Sequence, residues 1–243
     1  MQKYFLFSYA LSSYLTAMAS LTLLILWVYP WAFMPFQIDP GAGAPYALVL
    51  DLALIALFGI QHSVMARPAF KRRFFAGRSA SFRASTYTLF SALCIFLILW
   101  LWKPLGGTLF AFESGPFYGG LTLLYFGGWG VAFVATFQID HFELFGLHQG
   151  YRVLKGLPEP EARFQKKGFY RFMRHPVQTG TLIGLWATPE MSAGHLFFSL
   201  GMTGYILVGL ILEERGLVKT LGTEYLLYRK ETPMLFPTVK AKK

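Results

Sequence analysis

Charge is scarce: Asp, Glu, Lys and Arg make up 14% of the 243 residues, against roughly 25% in a typical soluble domain. That shortage excludes an ordinary soluble domain, a disordered chain and a coiled coil. Cysteine is scarcer still. The single Cys94 lies inside an apolar run, which excludes a disulfide framework and any cysteine-based metal cluster. Acidic residues are few as well, 12 against 22 Lys and Arg, leaving a formal net charge of +10. On a chain that is 55% hydrophobic, such an excess orients the protein in a bilayer and meets anionic membrane lipid, so no nucleic-acid partner is expected. Repeats, low-complexity runs and flexible linkers are also missing, which points to one domain over 1–243.

What the sequence has instead is apolar stretches of membrane length. Residues 8–29 are long enough to cross a hydrocarbon core. A signal peptide cleaved after Ala17-Met18-Ala19 is the competing reading, but the apolar run continues from Leu21 to Tyr29. Four more stretches follow at 45–66, 84–102, 117–137 and 193–212, each bounded by Pro, Gly or charge. A further one, 177–188, reaches only about 18 Å as a helix. The Pro189-Glu190 step after it predicts a helix-turn-helix hairpin dipping into the membrane. The expected fold is all-α: a polytopic integral membrane protein of five to six transmembrane helices, including that C-terminal hairpin. Residues 1–138 supply the N-terminal helices and 139–243 the part carrying the chemistry.

Basic residues test the count, because short cytoplasmic loops collect them. Segment 67–83 carries Arg67, Lys71, Arg72, Arg73, Arg78 and Arg83, and segment 140–174 carries Arg152, Lys155, Arg163, Lys166, Lys167, Arg171 and Arg174. The end carries Arg215, Lys219, Arg229, Lys230, Lys240, Lys242 and Lys243. With Lys3 on the same side, only Lys103 is left opposite. The chain between Arg174 and Arg215 must therefore leave the basic side and return, and both termini are expected in the cytoplasm. Residues 146–167, with Pro158 and Pro160, read as a polar surface segment.

Candidate chemistry concentrates in the last third. Gly168-Phe169-Tyr170 leads into Arg171 and then Arg174-His175-Pro176-Val177-Gln178-Thr179-Gly180. Pro176 suits the first position of a helix, where its missing N–H would be unpaired anyway. Arg171 and Arg174 beside a helix N-terminus make a place for a carboxylate or phosphate, or else anchor the helix to lipid headgroups. Glu213 and Glu214 end the last apolar helix; adjacent side chains point about 100° apart, so one can bind a ligand while the other pairs with an arginine. A solvated helix end is the alternative. Gly222, Tyr225, Tyr228 and Pro237 follow.

Histidines are the other candidates. His62 follows Asp51 by 11 residues, about 20° past three full turns, so both line one stripe of the second apolar helix. A shared site and simple interhelical hydrogen bonding are the two readings of that stripe. His141 follows the fourth apolar helix, and His148, seven residues on, falls near the same helical face. His195 opens the last helix away from the charge and reads as structural. No metal-ligand spacing is recognisable, and no metal is expected.

The run of Gly-x-Tyr, Arg-His-Pro with a nearby Gly, Glu-Glu, Gly-x-x-Tyr-x-x-Tyr and a final Pro across 168–237 resembles the C-terminal signature of a family of membrane methyltransferases. That family includes isoprenylcysteine carboxyl methyltransferase and the phospholipid methyltransferases. The resemblance implies an S-adenosylmethionine site from Tyr170, Arg174, His175, Pro176, Gly180, Glu213 and Glu214, opened to the cytosol and closed over by the C-terminal segment. Gln178 departs from the pattern, which usually has a tyrosine there. A longer likeness runs from about residue 50 to 237. Gln61-His62-Ser63-Val64-Met65-Ala66-Arg67-Pro68, Arg83-Ala84-Ser85-Thr86-Tyr87, the stretch from His141 to Leu147 and Ala187-Thr188-Pro189 resemble the methanethiol S-methyltransferases of bacterial membranes. This implies a small thiol acceptor in place of a prenyl or phospholipid group, with Asp51, Gln61, Arg83 and Tyr87 as substrate-binding residues.

Methyl transfer from a sulfonium to a thiolate is an in-line displacement, so an enzyme must supply alignment and a deprotonated thiol. The aromatic content of 18% offers faces for a sulfonium cation. A histidine near the membrane face is the expected base, His141 first and His62 second. A lipid or isoprenylcysteine acceptor is the nearest alternative; a transporter or assembly protein is a second, though such a protein has little use for the Glu-Glu end.

Overall fold

A computed structural model describes residues 1–31, 36–39, 41–160 and 164–237. Arg163, Lys240, Lys242 and Lys243 lie outside the described residues. The helices are α1 (Gln2–Val28), α2 (Ala47–Ala66), α3 (Pro68–Phe74), α4 (Ala80–Leu101), α5 (Gly115–Ile139), α6 (His141–Leu144), α7 (Leu147–Lys155), α8 (Pro176–Trp186), α9 (Ala193–Leu221) and α10 (Thr223–Glu231). Two short strands, β1 (Thr108–Ala111) and β2 (Glu190–Ser192), pair antiparallel. Helices α1, α2, α4, α5 and α9 are long and apolar enough to cross a membrane, with mean hydropathy between 1.5 and 1.9. Their apolar residues run all round the helix, and Leu48, Val49, Leu52 and Ile60 on α2 stay exposed. Only a hydrocarbon solvent makes that arrangement favourable, so the protein is a polytopic integral membrane protein.

The described residues form two compact units, each drawn from several parts of the chain. The first takes in residues 1–111, 141–161 and 190–201. Helix α1 turns a seam of mostly small residues inward, Leu6, Ala10, Ser13, Ala17, Ser20 and Leu24, a spacing that keeps one helical face against α4 and α7. A Cβ on Gly150 would sit 2.5 Å from the Ala10 Cβ, so α7 needs glycine there to lie flush on α1. This is why 146–167, polar as it reads, holds a packed helix rather than only surface chain. At the other end of the unit, the Asp39 carboxylate accepts from Gly106 N at 3.2 Å and Gly194 N at 2.8 Å. It ties three connections together beside the β1–β2 pair. Trp27, Trp102 and Phe198 meet edge to face, with ring centroids 5.5 to 5.6 Å apart.

The second unit holds residues 112–140, 164–189 and 202–237 among those described. Helices α5 and α8 run antiparallel: Phe112 N donates to Pro189 O at one end and Phe169 N to Gln138 Oε1 at the other. Between them the backbones nearly touch. A Cβ on Gly180 would lie 2.4 Å from Gly128 O, and one on Gly128 2.6 Å from Gly184 N. Helix α8 begins at Pro176 as expected and has only 11 residues. It is the short arm of the hairpin, joined to α9 where Trp186 Nε1 donates to Thr203 Oγ1 at 3.0 Å. The link between the arms carries β2, a strand the all-helical reading did not include. Gly180→Ala forces backbone against backbone and is expected to cost about 1 to 3 kcal/mol. Thermal unfolding in detergent measures it, and an unshifted midpoint would mean that α5 and α8 can separate freely.

Candidate functional site

The start of α8 is bound to the end of the chain by a chain of hydrogen bonds. Arg174 N donates to Pro233 O at 2.9 Å, His175 N to Met234 O at 3.1 Å, and Thr179 Oγ1 to Leu235 O at 2.8 Å. Residues 232–236 thus form a strap along α8. Beneath it lies the Glu214 carboxylate, buried near the end of α9. Arg174 Nε and Nη2 both reach Glu214 Oε1 at 2.6 Å, while Arg174 Nη1 donates to the carbonyls of Arg229 and Thr232. His175 Nε2 is 3.2 Å from the same oxygen, Arg229 Nε is 3.2 Å from Oε2, and the Tyr225 hydroxyl donates to Oε1 at 3.4 Å. One carboxylate therefore organises two guanidinium groups, an imidazole and a phenol.

Tyrosines complete the frame. Tyr228 donates its hydroxyl to Tyr170 O at 2.6 Å and reaches Met173 O at 3.4 Å. Burial pushes the Tyr228 phenol up to about 12 and the Tyr225 phenol higher, each with a further push from the Glu214 charge. Both keep their protons, and so their donor roles, throughout the physiological range.

Glu213 does something different. Turned away by one helical position, it is exposed, and its charge reaches His175 and Tyr205. Burial, then the Glu213 charge, raises the Tyr170 phenol well above its ordinary value. An exposed carboxylate beside two phenols and an imidazole suits a cationic ligand group such as an ammonium or sulfonium. The other side of the strap borders an apolar groove of about 580 Å³, lined by Leu124, Leu182, Trp186, Leu207, Leu235 and Phe236 among others.

Of the expected residues in this unit, Tyr170, Arg174, His175, Glu213 and Glu214 come together. Pro176 is buried as the first residue of α8. Gly180 faces α5, where it is needed for the close crossing. The anion place expected at the start of α8 is filled from within: the Arg174 guanidinium is committed to Glu214 and the strap carbonyls, while Arg171 is exposed. Arg229, Tyr225 and the Thr232 carbonyl were not among the expected site residues. The i, i+3 pair of tyrosines after Gly222 was their only local signal.

In the first unit, His62 faces α4, and Asp51, on the same stripe of α2, faces the connection just after α4. The two stand about 16 Å apart along α2. Asp51 Oδ1 accepts from Lys103 N at 3.0 Å, and His62 Nδ1 lies 3.1 Å from Ser91 Oγ. The Tyr87 ring stacks obliquely 4.9 Å from His62, and Gln61 Nε2 donates to Met65 Sδ. Arg83 lies in the first turn of α4 and donates to Arg78 O in the basic loop before it. His141 is buried, with Nε2 3.0 Å from the Tyr14 hydroxyl. His148 does not share its helical face: Gly146, at φ +85°, ends one short helix and starts the next, so seven-residue periodicity does not carry across. His195 is buried, its N–H bonded to Ser192 Oγ.

In amino-acid sequence the chain is similar to known proteins. Over 239 residues, 98% of each chain, the protein is 39% identical to methanethiol S-methyltransferase of Mycobacterium tuberculosis. It is 42% identical over 209 residues to methanethiol S-methyltransferase of Pseudomonas deceptionensis, covering 85% of this chain and 80% of that one. Nurim of Bos taurus is 32% identical over 170 residues, 65% of this chain and 63% of nurim. No family model and no solved structure matches. Identity at this level over nearly the full length of both proteins admits one conclusion: the chain belongs to the methanethiol S-methyltransferase family.

Proposed function

We propose that the protein is a methyltransferase that uses S-adenosylmethionine to methylate methanethiol, giving dimethyl sulfide, in a bacterial inner membrane with its basic face and both termini in the cytoplasm. The observation that carries the reading is the split between the two adjacent glutamates. Glu214 is locked into the Arg174–His175–Arg229 cluster, and Glu213 is left exposed and aimed by that lock. Bound S-adenosylmethionine would supply an electrophilic methyl on a sulfonium, which a thiolate displaces in line. The chain's own residues do the rest: Glu213 and Tyr170 hold the cationic end, Arg174 and Glu214 fix the start of α8, and the strap over α8 excludes water. The acceptor's proton goes to a histidine, His141 or else His62. Of the four residues the resemblance implies for the acceptor, Gln61 and Tyr87 lie beside His62 and form the acceptor side; Asp51, about 16 Å away along α2, and Arg83, in the first turn of α4, are left out of it. The methanethiol acceptor follows from the names of the relatives.

A second reading has one observation in its favour. The apolar groove along the strap is much larger than methanethiol and could take an acyl or prenyl chain. Competition between acceptors decides the matter. With labelled cofactor, the purified protein is expected to methylate methanethiol or a similar short alkanethiol faster than a prenylcysteine or phosphatidylethanolamine. Headspace analysis detects dimethyl sulfide directly. Label in the lipid fraction with no dimethyl sulfide would leave a methyltransferase but replace its acceptor.

A further inference from the structure

The first unit carries a second cluster that the proposed reaction does not use. Helix α3 and the loop after it hold Lys71 and Arg78, and Arg83 lies in the first turn of α4. Carboxylates do not balance them. No acidic residue occurs between Asp51 and Glu113 or before Asp39, and Asp39 is taken by two backbone N–H groups. Helix α7, which packs on α1 and α4, has no acidic residue, and Glu143 before it is held by Arg152 at 2.6 Å. Desolvation, then the Arg83 charge, lowers the Lys71 ammonium below its ordinary value.

One of these cations, Arg78, stands on an aromatic ring, and that ring belongs to a row. Phe70 packs on Phe75 at 5.8 Å, Phe75 on Phe82 at 6.1 Å, and Phe82 on Tyr9 at 5.7 Å. The Arg78 guanidinium lies 5.5 Å from the centre of the Phe82 ring. The row is continuous across α3, α4 and α1, and it ends on the exposed rings of Phe74 and Phe5. Exposed apolar rings flanked by Lys and Arg suit the level where headgroups meet acyl chains, the rings entering the acyl boundary and the cations staying among the headgroups. A soluble anion has no use for them. We propose that Lys71, Arg78 and Arg83, beside the Phe70–Phe75–Phe82 row, bind the phosphate of an anionic phospholipid headgroup.

Native mass spectrometry of the full chain, purified in neutral detergent and stripped of lipid, tests this with phosphatidylglycerol and phosphatidylcholine of matched acyl chains. The wild type is expected to retain phosphatidylglycerol about 10-fold or more tightly. Lys71→Gln with Arg83→Gln should abolish the preference, whereas Lys219→Gln with Lys230→Gln, equal in charge lost, should keep it. If the double variant does not fold, Lys71→Gln alone at its exposed position should weaken the preference about 5-fold. Equal retention of the two lipids by the wild type, or an unchanged preference in the Lys71 variants, would overturn the proposal. Displacement of the lipid by an equal concentration of inorganic phosphate would overturn it too, by making the site one for a soluble anion.

Discussion

Glu214→Ala is expected to lose the folded protein, while Glu213→Ala stays folded and loses its hold on the methyl donor. Removing the Glu214 carboxylate leaves the Arg174 guanidinium, itself mostly buried, without its counter-charge beside Arg229. Breaking a buried pair from one side costs about 3 to 5 kcal/mol, because the remaining charge has neither water nor partner. The strap would loosen as well, since Arg174 also holds the carbonyls of Arg229 and Thr232. Glu213 is exposed, and its removal strands nothing buried. Loss of one charged contact to a ligand costs about 1.5 to 3 kcal/mol, roughly 10- to 150-fold in affinity. Thermal unfolding in detergent and isothermal titration with S-adenosylmethionine separate the two effects. A Glu214→Ala protein that melts like the wild type but no longer binds would make Glu214 a ligand rather than a brace.

The second large effect concerns the proton. A short alkanethiol is mostly protonated at neutral pH, so the rate should climb with pH until the base has lost its proton. His141→Gln is expected to lower turnover at pH 7 about 100-fold, some 2.7 kcal/mol of barrier, and to flatten that rise. His141 is buried at the start of α6, where it is the first residue after the fourth long helix and its Asp140 cap. Its Nε2 is already engaged by the Tyr14 hydroxyl, so Tyr14→Phe should shift the pH profile while leaving the ring in place. His62, held by Ser91 between Phe58 and Tyr87, is the second choice. A wild-type rate for His141→Gln together with a 100-fold loss for His62→Gln would exchange their roles. Wild-type rates for both would mean that thiolate arrives from solution and the enzyme works by alignment alone.

The amino-acid sequence by itself determined the features that depend on a residue and its near neighbours. Transfer of apolar side chains into hydrocarbon adds up along a helix, so the five long helices stand where the hydropathy places them. The missing N–H of Pro176 is a local fact, and α8 starts there. The 100° between successive helical residues made it certain that Glu213 and Glu214 would face different ways. Which one faces inward was a tertiary decision. It depends on Arg174, 40 residues away, and on the Thr232 carbonyl, 58 residues from Arg174, and no local periodicity reports partners at that separation. The same holds for Gly180, whose place in a sequence signature does not report that it lies against Gly128 at a helix crossing, and for α7, whose polar sequence hides a glycine fitted to Ala10. Close approach of two backbones is a property of the pair, and a single strand of letters carries only one partner at a time.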